Sequence, residues 1–307
     1  MSNTIFFITG PTAIGKSDFA IKLSNKINGE IINADSMQIY KELKILSARP
    51  SSSDIKKVQH HLYGYISGNK RFNVEKWCLD ATKKIKLLHS KNITPILVGG
   101  TGLYIDTLIN GITSIPTIPE TIKNNSNNLF DKIGSKKFFD LVNKLDNEAT
   151  KNIAQNDSQR LKRIWEVYEY TNKKFSSWKK NKNKKFLNSV DINILLFLPN
   201  RKKNYKRVNE RVLKMINSGA IDEVKKLLNL QFKKTMPIMK AHGVPEIISY
   251  LDDAISFEEC VKKIQVVTRN YVKRQNTWWN SSKLPILKKF DAFPDELHPK
   301  SIKLPNF

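Results

Sequence analysis

The sequence predicts an α/β protein, a parallel sheet flanked by helices, with an all-helical domain inserted into it. Three observations carry this. Short β-rich runs alternate with helical patterns at the start of the chain, the β signal almost vanishes between Ile112 and Val190, and one strong β run with four further helices follows. Alternating strands and helices assemble into parallel sheets, and a strandless stretch between two such regions reads as an insertion. The expected divisions are residues 1–111 for the first part of the core, 112–190 for the helical insertion and 191–307 for the second part of the core. A length of 307 residues agrees with a core plus a smaller unit, because single cores stop growing near about 250–300 residues.

Thr4–Thr9 is an apolar β run long enough for a buried strand, and Gly10–Lys16 is a tight glycine loop. Ser17–Ile27 places Phe19, Ala20, Leu23 and Ile27 on one helical face. Glu30–Ala34 is a second strand, ending at Asp35, and Thr94–Val98 a third, leading through Gly99-Gly100 into a helical pattern at Leu103–Ile109. Within the insertion, helical patterns occur at Phe138–Lys144 and Gln159–Tyr170. Ile192–Leu198 restores a strand, and helices are expected at Tyr205–Ile216, Ile221–Leu228, Pro245–Leu251 and Phe257–Trp279. Ser256 with Glu259 three residues later forms a capping-box start for the last of these.

The loop Gly10-Pro11-Thr12-Ala13-Ile14-Gly15-Lys16-Ser17 has the GxxxxGK[ST] spacing between a strand and a helix, the context in which successive backbone N–H groups cradle phosphate oxygens. The bare pattern arises by chance in on the order of 1% of chains of this length, so polyphosphate binding is the expected use. Lys16 neutralises phosphate charge, and Ser17 is the expected ligand of Mg²⁺, the expected cofactor. The acid that a P-loop ATPase places after a neighbouring strand is missing, since Thr94–Val98 runs into Gly99-Gly100-Thr101 and Ile192–Leu198 into Pro199. The carboxylate at a strand's C-terminal end is instead Asp35, in the position where open α/β sheets bind ligands.

Lysine and arginine number 53 against 28 acids, a formal charge of +25. The excess is spread as +7, +8 and +10 over the three divisions, so the chain carries no basic tail and the charge suits a polyanionic partner. Thr268–Trp279 interleaves Arg269, Lys273 and Arg274 with Tyr271, Trp278 and Trp279, a mixture of phosphate-binding heads and stacking faces fitted to nucleic acid. Two cysteines, Cys78 and Cys260, give neither a disulfide framework nor a zinc spacing, which fits a reducing cytoplasm. No apolar run approaches the roughly 18 residues of a membrane span, so no membrane is expected among the partners.

Taken together, GPTAIGKSDFA from Gly10, DSMQIYK from Asp35, HHL from His60, VGGTGLYI from Val98, DSQRLKR from Asp157, RKKNYKRVNERV from Arg201, AHGVPE from Ala241 and TRNYVKRQNTWW from Thr268 resemble the tRNA dimethylallyltransferases along nearly the whole chain. The resemblance implies a P-loop NTPase-like core with an inserted helical domain, around a tunnel that dimethylallyl diphosphate enters from one side and a flipped-out adenosine of the tRNA anticodon stem-loop from the other. It implies that Asp35 is the general base for the adenine amine, that Thr101 binds near the reacting centre, and that Lys16, Ser17 and Arg211 hold the diphosphate with Mg²⁺. It places tRNA contacts at Asp35, Ser36, Met37 and Gln38, at Gln159, Arg160, Leu161, Lys162 and Arg163, at Lys240, His242 and Gly243, and at Arg269, Lys273, Arg274 and Gln275. A monomer is expected. The chain departs from the family's DIGTAKP-like phrase, which stands here as Lys44-Ile45-Leu46-Ser47-Ala48-Arg49-Pro50, and has Asn280 after the last tryptophan region where an arginine is usual. From the loop and Asp35 alone, a P-loop kinase acting on a nucleoside or small metabolite fits equally well, and a nucleotide-gated RNA-binding module accounts for the charge.

Overall fold

The structure, a computed structural model, describes residues 3–180 and 183–304. The chain divides into two compact units, one of Met1–Ile109 with Phe186–Phe307 and the other of Asn110–Lys185.

The first unit is built on one sheet of six strands: β1 (Thr4–Thr9), β2 (Gly29–Asn33), β3 (His60–His61), β4 (Thr94–Gly99), β5 (Asp191–Phe197) and β6 (Ile286–Phe290). Their order is β3-β2-β4-β1-β5-β6, and every pairing is parallel. β1 lies in the middle, buried along its whole length, which is why it reads as an unbroken apolar run rather than an alternating one. The Lys16–Ile27 helix covers one face through Phe19, Ala20, Leu23 and Ile27, sharing a core with Phe6, Ile8, Ile96 and Phe197. Because β2, β4 and β1 are parallel neighbours, their C-terminal ends emerge side by side. Asp35, Gly99–Thr101 and the Gly10–Lys16 loop follow those three ends and so meet at one edge of the sheet.

Of the elements outside the expectations, three shape the sheet and its support. The Val74–Ser90 helix, capped by Asn73, buries Trp77, Cys78, Ala81, Ile85 and Leu88. The Trp77 indole donates to the Asn33 carbonyl at 2.9 Å and stacks on Tyr104 at 4.6 Å between ring centres, so this helix braces the end of β2 immediately before Asp35. The strands β3 and β6 form the two edges of the sheet.

In the second unit, the Glu120–Leu145 helix, broken by non-helical backbone at Gly134, and the Ser158–Thr171 helix close a small core of Phe138, Val142, Leu161, Ile164 and Trp165. The expected helix at Phe138–Lys144 is thus the second half of a longer element.

Candidate active site

The loop after β1 turns through Gly15, whose φ of 89° lies in the left-handed region, a conformation that costs a side chain about 1 kcal/mol or more. The Lys16–Ile27 helix begins there, so unpaired amide groups and the positive end of the helix dipole face the loop's hollow. Lys16 Nζ curls back to donate to the carbonyls of Gly10 at 3.1 Å and Pro11 at 2.6 Å. Burial and the neighbouring Arg211 guanidinium push its pKa down to about 7, although Asp35 pulls in the opposite direction. Arg211, on the Arg201–Asn217 helix, donates to Thr12 Oγ1 at 3.3 Å. Burial lowers its pKa, and the Asp35 carboxylate is the charge that opposes the fall. Arg211 and, when protonated, Lys16 therefore face the Asp35 carboxylate, positive charge on which an anionic ligand can draw.

Asp35 is fixed by its own surroundings. The buried Asn33 accepts from the Asp35 amide at 2.8 Å and donates to the Asp35 carbonyl at 2.9 Å and the Leu62 carbonyl at 3.1 Å. Asp35 Oδ1 accepts from the Met37 amide at 2.9 Å, a local turn that leaves Oδ2 for other work. Thr101 Oγ1 accepts from the Ser36 amide at 3.2 Å. Burial first, and then the Asp35 charge, raise the Tyr271 pKa, so this phenol stays protonated. Tyr63 is held neutral in the same way.

Two adjoining cavities share Thr12, Asp35 and Ser47. One, of about 200 Å³, is walled by the glycine loop with Lys16, Ser17, Asp18 and Gly100. The other, of about 280 Å³, is mainly apolar, walled by Met37, Leu46, Val212, Met215 and Ile264, with His242, Lys240 and Tyr271 at its polar positions. The unusual KILSARP segment thus contributes Leu46 to the apolar wall and Ser47 to both cavities. It is held by the Glu223 carboxylate, which accepts from the amides of Lys44, Ile45 and Leu46 at 2.6–2.9 Å.

Among the described residues no three of His, Cys, Asp and Glu gather as a metal cage. The donors beside the loop are hard oxygens, those of Ser17, Asp18 and Asp35. That set fits Mg²⁺, which takes one or two protein oxygens and completes its shell with phosphate oxygens and water.

The structure therefore brings together Thr12, Lys16, Asp35, Thr101 and Arg211, with Ser36, Met37, Gln38, Lys240 and His242 around them. Gln38 donates to the carbonyls of Ser47 and Ala48, and Gly243 opens the Val244–Leu251 helix. Lys273 and Arg274 are exposed on the Phe257–Ser281 helix, while Arg269 donates to Asn209 Oδ1 at 2.6 Å. Gln159 and Arg160 are exposed on the second unit, with Lys162 and Arg163 half-buried there, whereas Leu161 is fully buried in that unit's core. Gln275, expected at the RNA, is spent inside the fold. Only 5% exposed, it accepts from the Thr12 amide at 2.9 Å and donates to the Gly100 carbonyl at 3.0 Å. Sequence reasoning read Tyr271 as a stacking face for nucleic acid, not as part of this cavity, and did not find the apolar wall. Their signal was the helical stripe Ile264, Thr268, Tyr271 and Gln275, hidden inside a phrase dominated by its charges.

The Gln275 bridge yields a stability prediction. Gln275→Ala orphans the Thr12 amide and leaves the Gly100 carbonyl with the Gly102 amide as its remaining donor, at 3.1 Å, and should lower unfolding free energy by about 1–2 kcal/mol, read as a lower urea midpoint at constant slope.

Residues 38–282 match the IPP transferase family. The chain is 42% identical over 304 residues to the tRNA dimethylallyltransferase of Pelagibacter ubique, covering 98% of this chain and 97% of that protein. It is 42% identical over 280 residues to that of Ehrlichia canis, covering 91% and 92% of the two chains. Among solved structures it resembles a tRNA isopentenylpyrophosphate transferase of Bacillus halodurans at TM-score 0.65 and 28% identity, covering 92% of this chain and 88% of that one. It also resembles a eukaryotic dimethylallyltransferase acting on tRNA at TM-score 0.74 and 25% identity, covering 90% of this chain and 70% of that one.

Proposed function

The chain belongs to the IPP transferase family of tRNA dimethylallyltransferases, and from that premise we propose how it works: it transfers a dimethylallyl group from dimethylallyl diphosphate to the exocyclic amine of the adenosine beside the anticodon in tRNA, releasing diphosphate. One observation carries the site assignment. Asp35 stands where a cationic phosphate cradle meets an apolar cavity, the junction at which a prenyl carbon must leave its diphosphate and meet an amine. The P-loop kinase alternative finds no support among the relatives, which are named for prenyl transfer to tRNA.

The adenine amine is a weak nucleophile because its lone pair is delocalised into the ring, so attack at the allylic carbon needs a positioned proton acceptor. Asp35 Oδ2 takes that proton as the C–N bond forms and the C–O bond to diphosphate breaks. Thr101, which follows β4 and accepts from the Ser36 amide beside Asp35, would bind near the reacting centre. The loop amides, Lys16 and Arg211 receive the charge that accumulates on the leaving diphosphate, the electrostatic contribution that is usually largest. Ser17 would hold Mg²⁺, which would supply further neutralisation of the diphosphate. The apolar wall of Met37, Leu46, Val212, Met215 and Ile264 seats the dimethylallyl end and keeps water from the allylic carbon. Both cysteines are free and buried, and among the described residues no helix is long and apolar enough to cross a membrane.

The direct test is incubation of the purified protein with unmodified tRNA, dimethylallyl diphosphate and Mg²⁺, followed by mass analysis of the nucleosides. A prenylated adenosine is expected, and its absence under conditions where tRNA binds would refute the activity. Extruding a base costs a few kcal/mol, which contacts of Gln159, Arg160, Lys162, Arg163, Lys273 and Arg274 with the RNA backbone would offset. Affinity for tRNA should then fall on a log–log plot against salt with a slope of about −3 to −6, and a flat response would show that the +25 charge plays no part in binding.

A further inference from the structure

Beyond the reactive groups, the outside of the phosphate loop is backed by the chain that follows β6. Phe293, Ile302 and Leu304 sit in the same core as the Lys16–Ile27 helix. Lys26 on that helix donates to the carbonyls of Pro299 at 3.3 Å and Ile302 at 3.4 Å. This seats Asp295 against Gly15, so closely that a Cβ built on Gly15 would lie 3.0 Å from the Asp295 Cγ. A carboxylate is therefore stationed at the rim of a loop that must bind an anion. Its charge is not left bare. Arg207 donates from one nitrogen to both Asp295 oxygens at 2.8 Å and from another to Glu296 at 3.4 Å, with its guanidinium 3.6 Å from the Phe293 ring centre.

Arg207 lies one helical turn before Arg211 on the Arg201–Asn217 helix. The same helix thus reaches both ends of the loop, through Arg211 to Thr12 and through Arg207 and Asp295 to Gly15. We propose that Arg207 is a positioning residue for diphosphate binding, holding Asp295 as a brace against the phosphate loop while cancelling the charge that would otherwise repel the ligand. A planar, permanently charged guanidinium suits this double duty of forked pairing and ring stacking. The inference rests on the reading of the loop as the diphosphate site.

Inorganic diphosphate with Mg²⁺, titrated into the full chain by calorimetry, reads the site without chemistry, and steady-state prenyl transfer reads it with chemistry. Arg207→Gln should weaken inorganic diphosphate binding and raise the KM for dimethylallyl diphosphate by about five- to tenfold, with kcat within about twofold. Adding Asp295→Asn should bring the double variant back to within about twofold of wild type, because the uncancelled charge is gone. Asp295→Asn alone, which keeps Arg207, should bind diphosphate as tightly as wild type or tighter. An unchanged affinity in Arg207→Gln, or a double variant as weak as the single one, overturns the proposal while leaving the loop's assignment intact. Failure of the unmutated protein to bind diphosphate overturns both.

Discussion

Asp35→Asn should lower kcat for prenyl transfer by roughly 10²- to 10⁴-fold, the range that a positioned general base contributes, while tRNA affinity changes little. The amide is the informative replacement. Its oxygen can still accept from the Met37 amide as Asp35 Oδ1 does at 2.9 Å, so the turn that builds the strand end survives, whereas alanine would remove turn and base together. The neighbours also respond. Asp35 is the charge that opposes the lowered pKa values of Lys16 and Arg211, so its loss makes Lys16 still easier to deprotonate. Rates should therefore be compared at saturating dimethylallyl diphosphate, where the proton acceptor alone is in question. Retention of full kcat in Asp35→Asn would remove the mechanism even if the protein still modified tRNA.

That a single carboxylate can be isolated in this way depends on the sheet. Because β2, β4 and β1 are adjacent and parallel, Asp35, Thr101 and the Gly10–Lys16 loop come from three different strand ends, each with its own support. Asn33 and Trp77 hold the first. Thr9 Oγ1 donates to the Gly99 carbonyl at 2.9 Å, tying the other two together below the loop. Gln275 then joins Thr12 to Gly100 from above.

Much of this frame is legible in the chain, for identifiable reasons. β1, its loop and the following helix announce themselves through a buried apolar run, a glycine spacing and a periodic helix face. Asp35 is visible because an acid directly after a strand is conspicuous beside a phosphate loop. Arg211 is not separable from the other cations of its helix by local pattern, and only the family resemblance singles it out. β6 reads poorly because it is an edge strand whose central residues, Leu287, Lys288 and Lys289, are exposed, charges that suit an edge and erase the alternation. β3 spans only two residues, His60–His61. The Val74–Ser90 helix hides behind its many lysines, though Trp77, Ala81, Ile85 and Leu88 keep the spacing of a buried face. Gln275 shows the limit of local reading. A polar side chain in a basic, aromatic phrase looks like an RNA contact, and only the fold's closure places it between Thr12 and Gly100.

Lys16→Gln should lower kcat/KM by roughly 10²- to 10³-fold, since it withdraws a buried charge from the departing diphosphate, and the pH dependence should say why. In the free protein the Lys16 pKa is pushed down to about 7, so the ammonium that the diphosphate needs is largely present at pH 6 and mostly lost by pH 8. Anion binding restores it by drawing a proton from solution. Affinity for inorganic diphosphate should consequently fall by up to about tenfold per pH unit above neutrality, until the higher pKa of the bound state is reached. Calorimetry in two buffers of different ionisation enthalpy should find close to one proton taken up per diphosphate at pH 8 and few at pH 6. Lys16→Gln retains only the ligand's own titration, so the difference between the two profiles belongs to this side chain. Identical profiles would mean that the loop lysine is not the group whose protonation governs diphosphate binding.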